Sequence, residues 1–289
     1  MFARDPLAQV HCQNLQSLTP TALHILPSMF DKLFDIPLLI MGPAIIALLC
    51  LFVLIGLKVV RRHVLTRLRV HSADSEFSGA MLQSVMVFYG LAVALIAVSV
   101  WQTYSDTSKT VSEEATSLAA LYRDVSSYPE PARTQMQDEL RDYTRYVITE
   151  AWPLQQRGKV PSGGVDLMNR FQSTLIAFEP TTESRKLLHA ETLRAYNEMI
   201  RARRLRLDAV NTGLPKVMWA VIVIGAFIGL SASFFFRVED RRLHEIEVLL
   251  LAVFIGLVIF MILSLDRPFR GDLGIGPEPY QLIYDQLMK

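Results

Sequence analysis

The stretch FSGAMLQSVMVFYGLAVALIAVSVWQTYS, from Phe77 to Ser105, decides the fold class, because its 29 residues include no charged side chain. An α-helix rises about 1.5 Å per residue and the hydrocarbon core of a bilayer is about 30 Å thick, so about 20 apolar residues suffice for one crossing. Three other stretches are also uncharged and of similar length: Ile36 to Leu57, Val217 to Phe236 and Val248 to Leu265. The sequence therefore predicts an all-α integral membrane protein with four transmembrane helices.

The composition of the chain agrees with this prediction and excludes other classes. Hydrophobic residues make up 51% of the chain, the mean hydropathy is +0.30, and 20% of the residues are still charged. The 29 basic and 28 acidic residues give a net charge of +1, far from the strongly basic balance typical of a nucleic-acid-binding protein. Cys12 and Cys50 lie in the tail and in the middle of the first span, so we expect no disulfide between them.

The charged and uncharged stretches divide the chain into regions. Residues 102–214 contain 15 basic and 15 acidic residues, which is too many charges for a segment inside a bilayer. Helical spacing of the apolar residues predicts a helical extramembrane domain there, inserted between spans two and three. The predicted regions are an N-terminal tail (1–35), a first transmembrane hairpin (36–101), the helical extramembrane domain (102–214), a second transmembrane hairpin (215–265) and a C-terminal tail (266–289).

Within the helical domain, proline and glycine indicate where helices end. A first helix continues from span two and ends before Pro129, and Pro153 is expected to interrupt the helix that follows. The pattern predicts three further helices over about 131–150, 165–178 and 182–210.

One face of span two is small and slightly polar. Its residues recur at three- and four-residue steps: Gln83, Val87, Gly90, Ala94 and Ala97. Small side chains let helices approach closely, and a glutamine inside lipid needs a polar neighbour, so we expect this face to point into the protein or line a pore. No Asp, Glu, Lys, Arg or His lies near the middle of a span, which argues against a proton-coupled pump or a secondary transporter.

Five charged residues near the membrane boundaries are candidates for a function: Glu113, Glu114, Arg201, Arg204 and Asp266. The two glutamates could form a ring of carboxylates or a solvated helix face. The two arginines, three residues apart on one helix face, could pair with Glu113, Glu114 or Asp266, or bind lipid headgroups. Asp266 could line a pore mouth or fix the exit of span four, with Arg267, Arg270 or a basic residue of the long helix as its expected partner.

The charge distribution does not decide on which side of the membrane the helical domain lies. The short hairpin loops are rich in lysine and arginine, which favours a domain outside the cytoplasm. The basic residues just before span three remove this asymmetry when they are included: Arg201, Arg203, Arg204, Arg206 and Lys216. Both placements stay open.

Signatures of enzymes are missing from the sequence. The six histidines are scattered, and there is no metal-binding spacing of histidine or cysteine, no phosphate-binding loop and no nucleophile elbow. We therefore expect neither an enzyme nor a metal or cofactor site.

Several short motifs, in this order around four spans, are similar to those of the bacterial bestrophin-like membrane family. They are Glu114-Ala115, Tyr143 and Val147 before Glu150 and Trp152, Arg201 and Arg204 before Leu214-Pro215 and Trp219, and Leu265-Asp266-Arg267-Pro268-Phe269 with Gly271. The similarity covers about residues 36–289. The sequence departs from the family pattern at Ala151, which separates a glutamate and a tryptophan that are expected to be adjacent, and in its long N-terminal tail.

The resemblance implies an oligomeric ion pathway, since bestrophins are pentameric anion channels with four spans per subunit. The resulting expectation is a homo-oligomeric ion channel of the bacterial inner membrane, in which span two lines the path. Its expected partners are the lipid bilayer and inorganic ions. The alternative is a membrane-anchored sensor or scaffold whose helical domain binds a ligand or a partner protein.

Overall fold

The structure is a computed structural model that describes residues 36–64, 72–236 and 240–289. The N-terminal tail, with Cys12, lies outside these ranges. The described ranges contain nine α-helices, in the order α1 (Leu38–Val59), α2 (Ser72–Ser126), α3 (Ala132–Tyr146), α4 (Trp152–Gln156), α5 (Gly164–Ala177), α6 (Glu183–Ala209), α7 (Lys216–Ser233), α8 (Arg241–Leu265) and α9 (Glu278–Ile283). Three π-helical turns continue α1, α3 and α9: Val60–Val64, Val147–Ala151 and Tyr284–Met288.

Four of these helices are long and apolar enough to cross a membrane, which confirms the predicted fold class. They are α1, the first part of α2, α7 and α8. No β-strand occurs in the three described ranges. Many large apolar side chains of these helices are exposed on the surface of the subunit, for example Phe88, Leu95 and Phe254. Lipid or another protein chain must cover such surfaces, because water would solvate them poorly.

The transmembrane helices pack around two apolar clusters. Helix α1 packs along α8, and Val53 and Leu57 of α1 are buried against Leu230 of α7. A second cluster joins α2 to α7 and α8 through residues such as Val93 and Ile222. Helix α8 starts at Arg241, seven residues before the uncharged stretch, because the Asp240 carboxylate accepts hydrogen bonds from the first backbone N–H groups of the helix.

Helix α2 connects the membrane to the extramembrane domain without a break. It runs for 55 residues and continues beyond the uncharged stretch to Ser126. Outside the membrane, α2 packs along α6, and α3 packs against α5. Apolar residues of these helices form one core around Leu118, Leu140 and Phe171. A movement of this domain would therefore act on the transmembrane part of α2 directly.

The C-terminal residues also belong to the core of this domain. Tyr280 and Met288 are almost fully buried there. Trp152 donates its indole N–H to the carbonyl of Ile275 at 3.0 Å, and Arg141 Nε donates to the carbonyl of Met288 at 2.7 Å. These contacts hold the end of the chain against α3 and α4.

Two of the helices predicted for the domain agree closely with α5 and α6, whereas the expected interruption at Pro153 is wrong. The chain remains helical through Pro153 to Gln156. Pro153 lies in the first turn of α4, where its missing N–H is tolerated after the preceding π turn.

Candidate functional site

A buried ion pair lies at the centre of the extramembrane domain. Arg206 of α6 donates from Nε to Glu114 Oε2 at 2.6 Å and from Nη2 to Glu114 Oε1 at 3.1 Å. Tyr143 donates its hydroxyl to Glu114 Oε1 at 2.7 Å, and Arg206 Nη1 donates to Gln155 Oε1 at 2.7 Å. The two charged side chains are 0% and 1% exposed, so the pair is shielded from water. It ties α2 to α6 and to the rod formed by α3 and α4.

Aromatic rings enclose this pair. The Arg206 guanidinium carbon lies 5.6 Å from the ring centre of Trp152 and 5.7 Å from that of Tyr280. Burial alone would lower the pKa of Arg206, but the neighbouring Glu114 carboxylate raises it well above its usual value. Burial, reinforced by the charge of Glu114, also raises the pKa of Tyr143 and of Tyr280. The arginine therefore stays charged and both tyrosines stay neutral at physiological pH.

The π turn Val147–Ala151 explains how one helical rod supplies several of these groups. In an unbroken α-helix the spacing between Tyr143 and Trp152 would leave them about 180° apart. The wider π turn between them reduces this angle, so both residues reach the same ion pair. Ala151, the residue that departs from the family pattern, lies inside this turn.

The two adjacent glutamates lie in different environments, and the two predicted arginines are not their ion-pair partners. Glu114 is buried, whereas Glu113 is exposed beside a groove on the surface of α2. Arg201 and Arg204 are exposed on α6 and do not pair with Glu113, Glu114 or Asp266 in the described ranges. The partner of Glu114 is Arg206, because position 206 lies on the side of α6 that packs against α2.

Asp266 joins the beginning of α7 to the end of α8. Its Oδ1 accepts from the backbone N–H of Leu214 at 2.6 Å, and its Oδ2 accepts from the indole N–H of Trp219 at 3.3 Å. A basic side chain was the expected partner of this carboxylate. Arg267 acts on Asp266 through its charge, but it donates its hydrogen bonds to the carbonyls of Asn211 and Thr212. Burial raises the pKa of Asp266, opposed by its hydrogen bonds from Leu214 and Trp219 and by the charge of Arg267. The geometry therefore favours the structural role of Asp266.

We expect Asp266→Ala to lower the stability of the protein by about 1–3 kcal/mol, because Leu214 and Trp219 would each keep a donor without its acceptor. The measurement is the apparent melting temperature in detergent. Asp285→Ala is the matched control, since Asp285 pairs with Lys289 at the surface, and we expect a change within about 0.5 kcal/mol there. Equal melting temperatures for the Asp266 variant and the parent would contradict this role.

The five residues of span two singled out for their small side chains form what we call the small-residue face of α2: Gln83, Val87, Gly90, Ala94 and Ala97. All but the half-buried Ala97 are exposed on the subunit surface. A Cβ atom placed on Gly90 would meet no atom within 4 Å. A different face of α2 packs inside the subunit, where Tyr89 donates its hydroxyl to the carbonyl of Ile222 at 2.8 Å. No described part of the same chain therefore covers most of the small-residue face.

Two glycine substitutions distinguish these faces of α2. A Cβ at Gly225 of α7 would overlap the Tyr89 ring, which its hydrogen bond holds in place, so we expect Gly225→Ala to destabilise the protein by about 1–3 kcal/mol. Gly90→Ala should be neutral or stabilising by up to about 1 kcal/mol, because alanine favours the helix and the site is open. Melting temperatures in detergent measure both. A loss for Gly90→Ala as large as that for Gly225→Ala would show that the small-residue face is packed.

Sequence reasoning found Glu114 but missed Arg206, Gln155 and Tyr280. Arg206 stood in the sequence as one of several arginines on a long helix, and only the apolar residues Tyr196, Met199 and Ala202 at helical spacing before it indicate that it faces the core. Tyr280 lies far along the chain in a segment expected to be a tail, and nothing in the sequence pairs it with Glu114.

Comparison with known proteins agrees with this architecture. The model of the bestrophin-like domain family matches residues 47–280. The chain is similar to two crystal structures of single-substitution variants of a bacterial bestrophin homologue from Klebsiella pneumoniae, with 12% and 10% identity and TM-scores of 0.55 and 0.56. These alignments cover 84% and 85% of this chain and 98% and 97% of the solved chains. No curated protein sequence matches it. Since the family model spans most of the chain, the protein belongs to the bestrophin-like family.

Proposed function

We propose that the protein is a homo-oligomeric ion channel of the bacterial inner membrane and that the small-residue face of α2 lines the path. The observation that carries this proposal is that the described residues of the subunit leave most of this face uncovered, although it contains Gln83 in a membrane span. A polar amide facing lipid is unfavourable, whereas a water-filled path or a neighbouring subunit would satisfy it. Small side chains around an axis also leave room for ions to pass.

The same face continues into the extramembrane part of α2. Steps of three and four residues lead from Ala97 through Trp101 to Ser105, Ser108, Ser112 and Thr116. Ser112 and Thr116 donate their hydroxyls to backbone carbonyls of their own helix, at 3.1 and 2.8 Å. Their oxygen lone pairs therefore remain available to solvent or ions. Apart from Trp101, this line from Gln83 to Thr116 consists mainly of small or hydroxyl-bearing residues, which suits a path that continues from the membrane into the domain.

Membership of the bestrophin-like family and the shared fold support a channel, and the composition of the spans agrees with it. No Asp, Glu, Lys, Arg or His lies near the centre of any of the four spans, whereas proton-coupled pumps and transporters normally use such a buried group. A channel needs none, because pore width, dipoles and apolar constrictions control permeation.

Ion flux measurements on reconstituted protein test the proposal. Purified protein in liposomes should release a trapped salt gradient faster than empty liposomes, and its mass in mild detergent should correspond to several copies. Flux equal to that of empty liposomes together with a monomeric mass would overturn the proposal. A stable complex with a different protein, without self-association, would instead favour the sensor or scaffold.

A further inference from the structure

Exposed charges of opposite sign without partners lie on two different helices of the extramembrane domain. They are Glu113 on α2 and Arg201 and Arg204 on α6, none of which has an ion-pair partner within the described ranges. Some other exposed charges of α2 and α6 are paired inside the subunit: Lys109 with Asp106 at 3.2 Å, and Arg194 with Glu191 and Glu198 at 3.9 and 3.3 Å. The two unpaired groups carry complementary charge.

Both groups lie at the same level relative to the membrane. The ion pair between Glu114 and Arg206 fixes the register of α2 against α6. Glu113 is one residue from Glu114 and Arg204 is two residues from Arg206, so each lies within about 3 Å of its neighbour along the helix axis. Copies related by a rotation axis normal to the membrane would therefore have Glu113 of one copy at the same height as Arg204 of another, as a pairing between them requires.

The direction of Glu113 also points to a neighbouring copy. Val111 and Glu113 lie on opposite flanks of Ser112, each about 100° around the helix. Val111 is fully buried in the core of its own domain, and Glu113 is exposed. If Ser112 faces the axis of an oligomer, the core of its own subunit lies on the side of α2 that carries Val111. The side that carries Glu113, which we call the Glu113 flank, must then face the next subunit.

Arg201 and Arg204 lie on the outer surface of α6, where the Glu113 flank of a neighbouring copy could contact them. Met199, Ala202 and Arg206 turn one side of α6 towards the core, so Arg201 and Arg204 project from the opposite side, away from α2 of the same subunit. A contact between the Glu113 flank of α2 and this outer side of α6 joins two different surfaces. Such heterologous contacts generate closed rings when the rotation between copies closes.

We propose that Glu113 of one subunit pairs with Arg204, and with Arg201 one turn away, of the adjacent copy, and that this contact joins neighbouring subunits around the ring. The inference rests on the homo-oligomer proposed above and assigns its extramembrane interface. A lipid headgroup is the other ligand for Arg201 and Arg204. Their position along the membrane normal argues against a lipid ligand. Arg206 lies at the level of Glu114, and Glu114 is about 20 Å along α2 beyond Trp101, the last residue of the first predicted transmembrane hairpin.

Charge reversal tests the pairing. Glu113→Arg and Arg204→Glu should each lower the population of the assembled ring at a fixed protein concentration by about tenfold or more, because like charges would then face each other at every contact of the ring. The combination of Glu113→Arg with Arg204→Glu should restore assembly towards the parent level. Arg194→Glu is the control, since Arg194 pairs within its own subunit, and it should leave assembly unchanged. Native mass spectrometry in detergent measures these populations.

Cross-linking identifies the residues in contact. In a background without Cys12 and Cys50, Glu113→Cys and Arg204→Cys combined in one chain should give a ladder of covalent oligomers with a short bismaleimide. Each single cysteine variant should give no ladder, because the contact joins two different surfaces. A ladder from Glu113→Cys alone would indicate like-to-like packing and would overturn the inference.

The outcomes separate this inference from the proposed function. A monomeric parent protein in detergent and in nanodiscs would remove the oligomer and the pairing together. An oligomeric parent with unchanged assembly of both charge-reversal variants and no ladder from the double cysteine variant would overturn the pairing alone. Loss of binding to anionic vesicles by Arg204→Glu, with assembly intact, would assign the arginines to lipid and contradict the pairing.

Discussion

Replacement of Arg206 by alanine should lower the stability of the protein by about 3–5 kcal/mol, because the Glu114 carboxylate would remain buried without its counter-ion. The magnitude follows from burial, since the side chains of this pair are at most 1% exposed. The loss would also release Gln155 and remove the guanidinium from between Trp152 and Tyr280. The apparent melting temperature in detergent and the yield of folded protein measure this effect.

Arg194→Ala is the matched control, since it removes the same side chain from the same helix at an exposed position that pairs only weakly within its own subunit, where we expect a change within about 0.5 kcal/mol. If Arg206→Ala does not fold, the combination Glu114→Gln with Arg206→Met keeps the test possible, because removal of both charges leaves no buried ion unpaired. It should be more stable than Arg206→Ala. A melting temperature for Arg206→Ala close to that of Arg194→Ala would contradict the role of the pair.

A cysteine at Ala94 should allow a bulky, membrane-impermeant thiol reagent to abolish most of the ion flux of the reconstituted protein. Ala94 lies on the small-residue face, one turn from Gly90, so a large adduct there would obstruct a path lined by this face. The substitution Ala94→Cys is made in a background without Cys12 and Cys50, and the reagent is added after assembly. A defect in assembly therefore cannot explain the loss of ion flux.

Leu95→Cys is the control for this experiment. Leu95 is the next residue along the chain and is 64% exposed on the subunit, but about 100° around the helix from Ala94. We expect its flux to be insensitive to the reagent, because this side chain should face lipid. Equal inhibition of both variants, or inhibition of the Leu95 variant alone, would show that another face of α2 lines the path.

Local chemistry accounts for the parts of the fold that the sequence predicts well. Uncharged stretches long enough to cross a bilayer identify α1, α2, α7 and α8, and Pro215 precedes α7 where a helix can begin. Proline and glycine near the ends of α5 and α6 allow their bounds to be predicted to within about two residues. These features depend on residues that are close together in the sequence.

The charged site was only half predictable, since its partners come from distant segments. Glu113 and Glu114 are adjacent and chemically identical, and their different burial follows only from how α2 rotates against α6. The same rotation decides that Arg206, and not Arg204, faces Glu114. The position of Tyr280 depends on the return of the C-terminal segment to the domain, which no local pattern indicates.

A structure of the assembled protein in lipid nanodiscs, determined by electron cryomicroscopy, would show whether the small-residue face of α2 lines an ion path. We predict several copies around an axis normal to the membrane, with Gln83, Gly90 and Ala94 of every copy nearest that axis. A monomer, or a ring whose axis is lined by α1, α7 or α8 while these residues face lipid, would contradict it.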